Sequence, residues 1–463
     1  MKAFGHRELY APAHFGNSYE EMGMAEAVEI LSEARWWGFN AYGDWFDNAD
    51  MLSPARQRQG GYTLSRVLAD KKLDWFAVAA KCGLELDLII TPNQVFMDQV
   101  SSAPEAEKGD ERYYGQLLCP SRPEARRIIL DNHRLLFDEL RSRGVGLASI
   151  SACPFDPGGC SCQQCAPWIV TFGRLTREIL ALARERFPEV RARLIGWWWT
   201  AEEHQAFKAW ADREAPGAFV SLAMHLKYGQ TEPDAGRLLP DRCEPQVFVH
   251  IGYSDSAKVG QARGRDVYGS WGPVVAPVRI PATLEAMARA GMVGFAAYSE
   301  GSFDDLNKAL LAGLSSGRFR TAQEILAAYA ERYFGAAGAE AGRWASWIAN
   351  WGMPFDVDLA AARREFELLA RGARRSWRLE QLEGRLRLFE ANAAVEKLKG
   401  WGPQRLAAAE KYFAEQERIY REVWKVGLVR GGLHPKCFEL PWTDQWREVV
   451  GKASGRTAFL NEA

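Results

Sequence analysis

Residues 146–168 read G-L-A-S-I-S-A-C-P-F-D-P-G-G-C-S-C-Q-Q-C-A-P-W. Gly146–Ser151 has the composition of a buried strand, and a helical pattern begins at Trp168. The loop between them holds half of the chain's 8 cysteines around a Gly-Gly turn, beside Asp156. A strand, a loop rich in reactive side chains and a helix form the unit from which parallel sheets with outer helices are built.

The same unit recurs along the first two-thirds of the chain. Strands are expected near Leu9–Phe15, Gly38–Trp45, Leu84–Pro92, Gly146–Pro154, Ala192–Trp199, Ala218–His225, Gln246–Tyr253 and Met292–Ser299. Helical spacing of apolar residues marks Met22–Trp37, Leu64–Cys82, Arg122–Arg143, Trp168–Arg186, Glu203–Arg213, Ala282–Ala290 and Asp304–Gly317. Eight such units predict an α/β chain folded as a (β/α)8 TIM barrel over residues 1–320. From Thr321 strand signals cease and helical runs dominate, so 321–463 reads as a C-terminal α-helical domain. No G-x-G-x-x-G or G-x-x-x-x-G-K-[ST] follows a strand, which disfavours a nucleotide-binding sheet.

The 463 residues carry a net charge of −1, which gives no basis for nucleic-acid binding. No apolar run reaches the roughly 18 residues of a membrane span. The N-terminus has no apolar signal region, so a cytoplasmic location is expected, or a secreted one if a signal has been removed. A homo-oligomer is compatible with this composition.

In a barrel, chemistry sits where the strands end at their carboxyl side. Those positions hold Asp44, Asn93, Asp156, Glu202, Glu203, His225, His250, Tyr253, Tyr298 and Glu300. Such a cup of carboxylates, imidazoles and aromatics suits glycosidic bond cleavage, which needs two carboxyl groups flanking the bond. Asp156 and Glu300 each follow an apolar strand next to glycine or proline and are the expected pair, with Glu203 as substitute. Asp44, Asn93, Trp199, His225, His250, Tyr253 and Tyr298 are expected to line a sugar site. Each has a plainer reading: Asp156 as a turn residue, Glu300 and Glu203 as helix-start acids that favour the dipole, the histidines as core residues. A carbohydrate-binding barrel without catalysis is the alternative of a different class.

Cys153, Cys160, Cys162 and Cys165 are expected to hold a structural Zn²⁺, because all-thiolate zinc sites are usually structural. Unligated thiols, disulfides, another metal and a three-ligand catalytic zinc serving a hydrolase or lyase remain open. No H-E-x-x-H is present. Cys119 reads as a buried thiol ahead of a helix.

Three motifs carry a resemblance: G-F-N-A-Y-G-D at 38–44, L-C-P-S-R-P-E-A at 118–125, and Asp156 followed by C-x-C-x-x-C at 160–165. Together they resemble bacterial (β/α)8-barrel glycoside hydrolases with a helical C-terminal domain, similar to barrels related to endo-β-N-acetylglucosaminidases. The resemblance implies a glycosidase acting on a carbohydrate. The fourth strand lacks the adjacent Asp-Glu pair of substrate-assisted hexosaminidases, which leaves Asp156 with a distant partner.

Overall fold

The computed structural model describes residues 3–13, 17–48, 51–60, 64–155, 158–226, 233, 238–251, 275–299, 301–350, 358–400 and 402–423. Eight strands close into a barrel in chain order: β1 His6–Tyr10, β2 Ala41–Trp45, β3 Glu85–Ile90, β4 Ser149–Ala152, β5 Arg191–Gly196, β6 Phe219–Leu226, β7 Glu244–His250 and β8 Gly294–Tyr298. Every neighbouring pair is parallel, including β8 with β1. The helices between them are α1 Ser18–Glu21, α2 Met24–Trp37, α3 Pro54–Gly60, α4 Leu64–Lys81, α5 Pro123–Ser142, α6 Trp168–Arg184, α7 Ala201–Glu214, α8 Arg279–Arg289 and α9 Asp305–Ser315. None of the described helices is long and apolar enough to cross a membrane.

Two cores result. A large outer core fills the space between strands and helices. A small inner core of Tyr10, Trp45, Ile89, Ile195, Ala223, Phe248, Ala296 and Tyr298 fills the upper lumen. Since side chains alternate along a strand, the residues two positions earlier also face inward. Most are polar, namely Glu8, Asp87, Arg193, Ser221 and Gln246, and the others are Gly43 and Gly294. His6 Nε2 lies 3.0 Å from Glu8 Oε2. Glu8 and Asp87 are close enough for each carboxyl to feel the other's charge. Ser151 Oγ donates to Asp87 Oδ2, and Arg193 Nη1 donates to Ser221 Oγ at 3.2 Å. Gly43 makes room for this network, because a Cβ there would come within 2.0 Å of Glu8 Oε1. Burial pushes both the Glu8 and Asp87 carboxyls up to about 7, with Arg193 opposing. Burial also lowers His6 to about 3, keeping its imidazole neutral.

This network moves the first strand. It begins at His6, ahead of the expected Leu9, because His6, Arg7 and Glu8 look unlike a strand until the charges find partners in the lumen. Charges inside a barrel persist only when paired or neutralised.

The opposite phase of β2 faces the helices. Tyr42 packs on Trp75 and Phe76 of α4, with ring centroids 6.4 and 5.6 Å apart. Asp44 stands beside it and is fully buried. Its Oδ1 accepts from Lys72 Nζ of α4 at 3.2 Å and from the Ala13 N–H at 3.3 Å. Asp44 therefore pins the β1 loop and α4 to the barrel wall. It does not face the barrel mouth, contrary to expectation, because Gly43 and Trp45 hold the inward phase.

Beyond residue 321 come α10 Ala322–Phe334, α11 Ala339–Ala349, α12 Leu359–Ala370, α13 Trp377–Glu396 and α14 Pro403–Arg418. Thr321, Asp358 and Ser376 cap α10, α12 and α13 through side-chain oxygens. These helices dock on α2 and α9. Trp37 Nε1 donates to Tyr333 Oη at 2.9 Å, and Arg378 bridges Glu29 at 2.6 Å and Asp305 at 2.7 Å. Arg378 lies over the Tyr333 ring at 3.9 Å, so its charge is both paired and stacked.

Two measurements check this layout. Glu8 is protonated more readily folded than unfolded, so its contribution is complete below about pH 4.5 and lost as pH rises through about 7. Glu8→Gln should abolish that loss. Denaturant melts at pH 5 and pH 8 should show wild type losing on the order of 2 kcal/mol more than the variant; equal losses would refute the buried protonated pair. Asp44→Ala strands a buried ammonium and should cost about 3 kcal/mol. Adding Lys72→Met should recover most of it.

Candidate active site

The carboxyl ends of β5–β8 and β1 place aromatic rings and imidazoles around one opening. Trp197 follows β5. Its ring centroid lies 4.0 Å from His225 of β6 and 5.0 Å from His250 of β7. His225 and His250 are 5.5 Å apart. His250 lies 5.0 Å from Tyr298 of β8, and Tyr298 lies 5.3 Å from Tyr10 of β1. His225, His250 and Trp197 are half-buried, with their ring nitrogens inside. Burial, with the His225 and Arg279 charges, holds His250 well below the ordinary imidazole value. It is a neutral donor and acceptor at physiological pH.

Trp198 adopts φ 60 and is 38% exposed. A left-handed tryptophan costs roughly 1–2 kcal/mol. It stacks on Trp197 at 5.5 Å with an interplanar angle of 24°. Arg112, from the long 91–122 connection, donates to the Trp198 carbonyl at 2.7 Å. The same guanidinium grips Glu203 through two 3.0 Å bonds and lies 4.2 Å over the Phe155 ring. One cation thus ties together the loops after β3, β4 and β5.

Of the residues expected to line a sugar site, His225, His250 and Tyr298 lie side by side at the strand ends. Other expected site residues are elsewhere. The left-handed turn at Trp198 breaks the strand alternation, so Trp199 is buried in the helix layer against Phe207 at 5.1 Å, and Trp197 takes its place. Asn93 is fully buried as a clamp: its Nδ2 donates to Gly159 O at 2.8 Å and to Leu118 O at 3.2 Å, while Gly159 N–H donates to its Oδ1. Glu203 caps α7 by exchanging bonds with Thr200 and pairs with Arg112. Its carboxylate is consumed by positioning the loop, as the plainer reading held. Asp156, Glu300 and Tyr253 lie outside the described residues.

The cysteines rearrange as well. Cys153 is on the inward phase after β4, packed against the inner core, with its Sγ donating to Phe155 O at 3.0 Å. Burial raises its thiol to about 12. The sulfurs of Cys160, Cys162 and Cys165 meet Cys119 instead, all four within 4.8 Å of one another and all buried. Nothing local in the sequence marks Cys119 as their partner. Trp197 was half-visible in W-W-W, whereas Arg112 carried no signal at all.

No sequence-family profile matches the chain, and no curated protein matches it. Solved structures do. An enzyme of family GH138 that targets pectin rhamnogalacturonan II is 8% identical with a TM-score of 0.50, covering 91% of this chain. This chain spans 60% of that enzyme's length. An O-GlcNAc hydrolase mutant from Thermobaculum terrenum is 11% identical with a TM-score of 0.48, covering 98% of this chain and 95% of its own. A beta-mannanase from the blue mussel Mytilus edulis is 12% identical with a TM-score of 0.41, covering 67% and 92%. These structural neighbours are glycoside hydrolases, and at such identities the likeness to the GH138 enzyme shows a shared fold: this chain is a (β/α)8 barrel with C-terminal helices.

Proposed function

We propose that the protein is a glycosidase that hydrolyses glycosidic bonds of an oligosaccharide or glycoconjugate laid over the barrel mouth. The observation that carries this reading is the ring of Trp197, Trp198, His225, His250, Tyr298 and Tyr10 at the strand ends. Aromatic faces stack on the apolar faces of sugar rings, while the neutral His250 imidazole and the phenols exchange hydrogen bonds with hydroxyls. The Trp197 Nε1 donor is buried and has no protein acceptor among the described residues. A left-handed Trp198 held by Arg112 is the kind of strain that persists where a site needs a side chain aimed.

The proposed catalytic carboxyls are Asp156 and Glu300, assigned from their places in the chain just after β4 and β8. In a closed eight-strand barrel those strands stand opposite each other. Carboxyls rising from opposite walls can flank a bond lying between them. One protonates the departing glycosidic oxygen, and the other attacks the anomeric carbon or deprotonates the attacking water. The GH138 enzyme that shares this fold targets a carbohydrate, pectin rhamnogalacturonan II, in agreement with this chemistry.

Turnover on a panel of nitrophenyl glycosides and natural oligosaccharides tests the reading. Asp156→Asn and Glu300→Gln should each lower kcat by about 10²–10⁴-fold, and near-normal turnover in both would sink the pair. Binding without cleavage by wild type would instead indicate a carbohydrate-binding barrel. Trp198→Gly should raise KM about tenfold, the loss of roughly 1.4 kcal/mol of stacking. Glycine accepts φ 60, so the melting temperature should stay level or rise.

A further inference from the structure

We propose that Cys119, Cys160, Cys162 and Cys165 form a closed, tetrahedral zinc site that fastens the 91–122 connection to the loop after β4. Cys153 is not a ligand. The geometry carries the assignment. At a Zn–S bond of about 2.3 Å, tetrahedral sulfurs stand about 3.8 Å apart. Cys119 Sγ lies 3.7 Å from Cys162 Sγ and 3.8 Å from Cys165 Sγ, and no pair in the cluster exceeds 4.8 Å. Four thiols converging on one centre is more than disulfide pairing requires, since disulfides need only two sulfurs about 2.0 Å apart. Four sulfurs this close leave room among them for one ion and no more.

The surroundings suit four thiolates on one divalent ion, a unit of net charge −2 once each thiol has released its proton to solvent. Ser121 Oγ lies 2.9 Å from Cys119 Sγ and 3.7 Å from Cys162 Sγ, a hydroxyl placed to donate to either sulfur. Cys165 N–H and Ala166 N–H both return to Cys162 O at 2.9 and 3.1 Å, closing the C-x-x-C turn. With four protein ligands and all four cysteines buried, no coordination position is open to a substrate, so the site is structural.

Its place in the fold explains its use. Without it, the two loops meet along a thin seam: Ser161 N–H donates to Glu107 O at 2.8 Å, Gly109 N–H to Ser161 Oγ at 3.1 Å, and Asn93 clamps Gly159. The connection tied down at Cys119 is the one that carries Arg112 to the rim. The ion therefore anchors the lever that holds Trp198 in its strained position. The site stands independently of the glycosidase reading.

Elemental analysis of the full-length protein, purified reduced and without chelator, tests it. The expected content is one zinc per chain, kept by Cys153→Ala and lost by Cys119→Ala. Should Cys119→Ala fail to fold, wild type refolded with Co²⁺ decides. Four thiolates give the d–d bands of tetrahedral cobalt and an intense sulfur-to-cobalt charge-transfer band, retained in Cys153→Ala. Iron as the bound metal, zinc lost from Cys153→Ala but kept by Cys119→Ala, or a protein that takes up no zinc on refolding with it and gives an octahedral cobalt spectrum would each overturn the proposal.

Discussion

A closed parallel barrel leaves each strand residue two choices, lumen or helix layer, and consecutive residues must take opposite ones. That constraint orders this molecule. Once Gly43 turns inward to admit Glu8, Asp44 has to turn outward to Lys72, and Trp45 inward to the upper lumen. Once Ile195 faces in, so does Trp197. The lower lumen is polar and the upper lumen aromatic. The charges below are neutralised or paired, and the rings above form the floor of the mouth.

The alternation ends where the strands end, and other forces then place the side chains. At the rim, Arg112 does most of this, satisfying Glu203 and the Trp198 carbonyl while lying over Phe155. The connection bearing Arg112 is long, and entropy alone would leave it loose. Hydrogen bonds from Asn93 and Ser161, and the cysteine cluster at its far end, hold it. Polar residues that resembled site residues are in this way the supports of the site.

Much of the fold was legible. Seven of the eight strands were expected within a few residues of where they lie, because parallel strands covered on both faces read as apolar runs between helical patterns. The same property hides the phase of a strand. When both faces are apolar, nothing in G-F-N-A-Y-G-D tells whether Tyr42 and Asp44 or Gly43 and Trp45 face the lumen. His225, His250 and Tyr298 lie together at the strand ends, and a polar or aromatic residue at a strand's last inward position is conspicuous in sequence. Asp44 and Trp199 looked equally conspicuous and had the wrong orientation.

The sequence by itself determined the order and type of the elements, the barrel and the helical tail, through local periodicity that needs no distant partner. It also marked the loop after β4 as a concentration of thiols. Only tertiary structure decided which residues share a site, because those groupings join chain segments that periodicity cannot connect. Cys119 reaches Cys160 across α5 and β4, Arg112 reaches Glu203 across two βα units, and the turn at Trp198 separates Trp197 from Trp199. Each depends on a long-range contact or a single dihedral angle, and neither leaves a local trace in the order of residues.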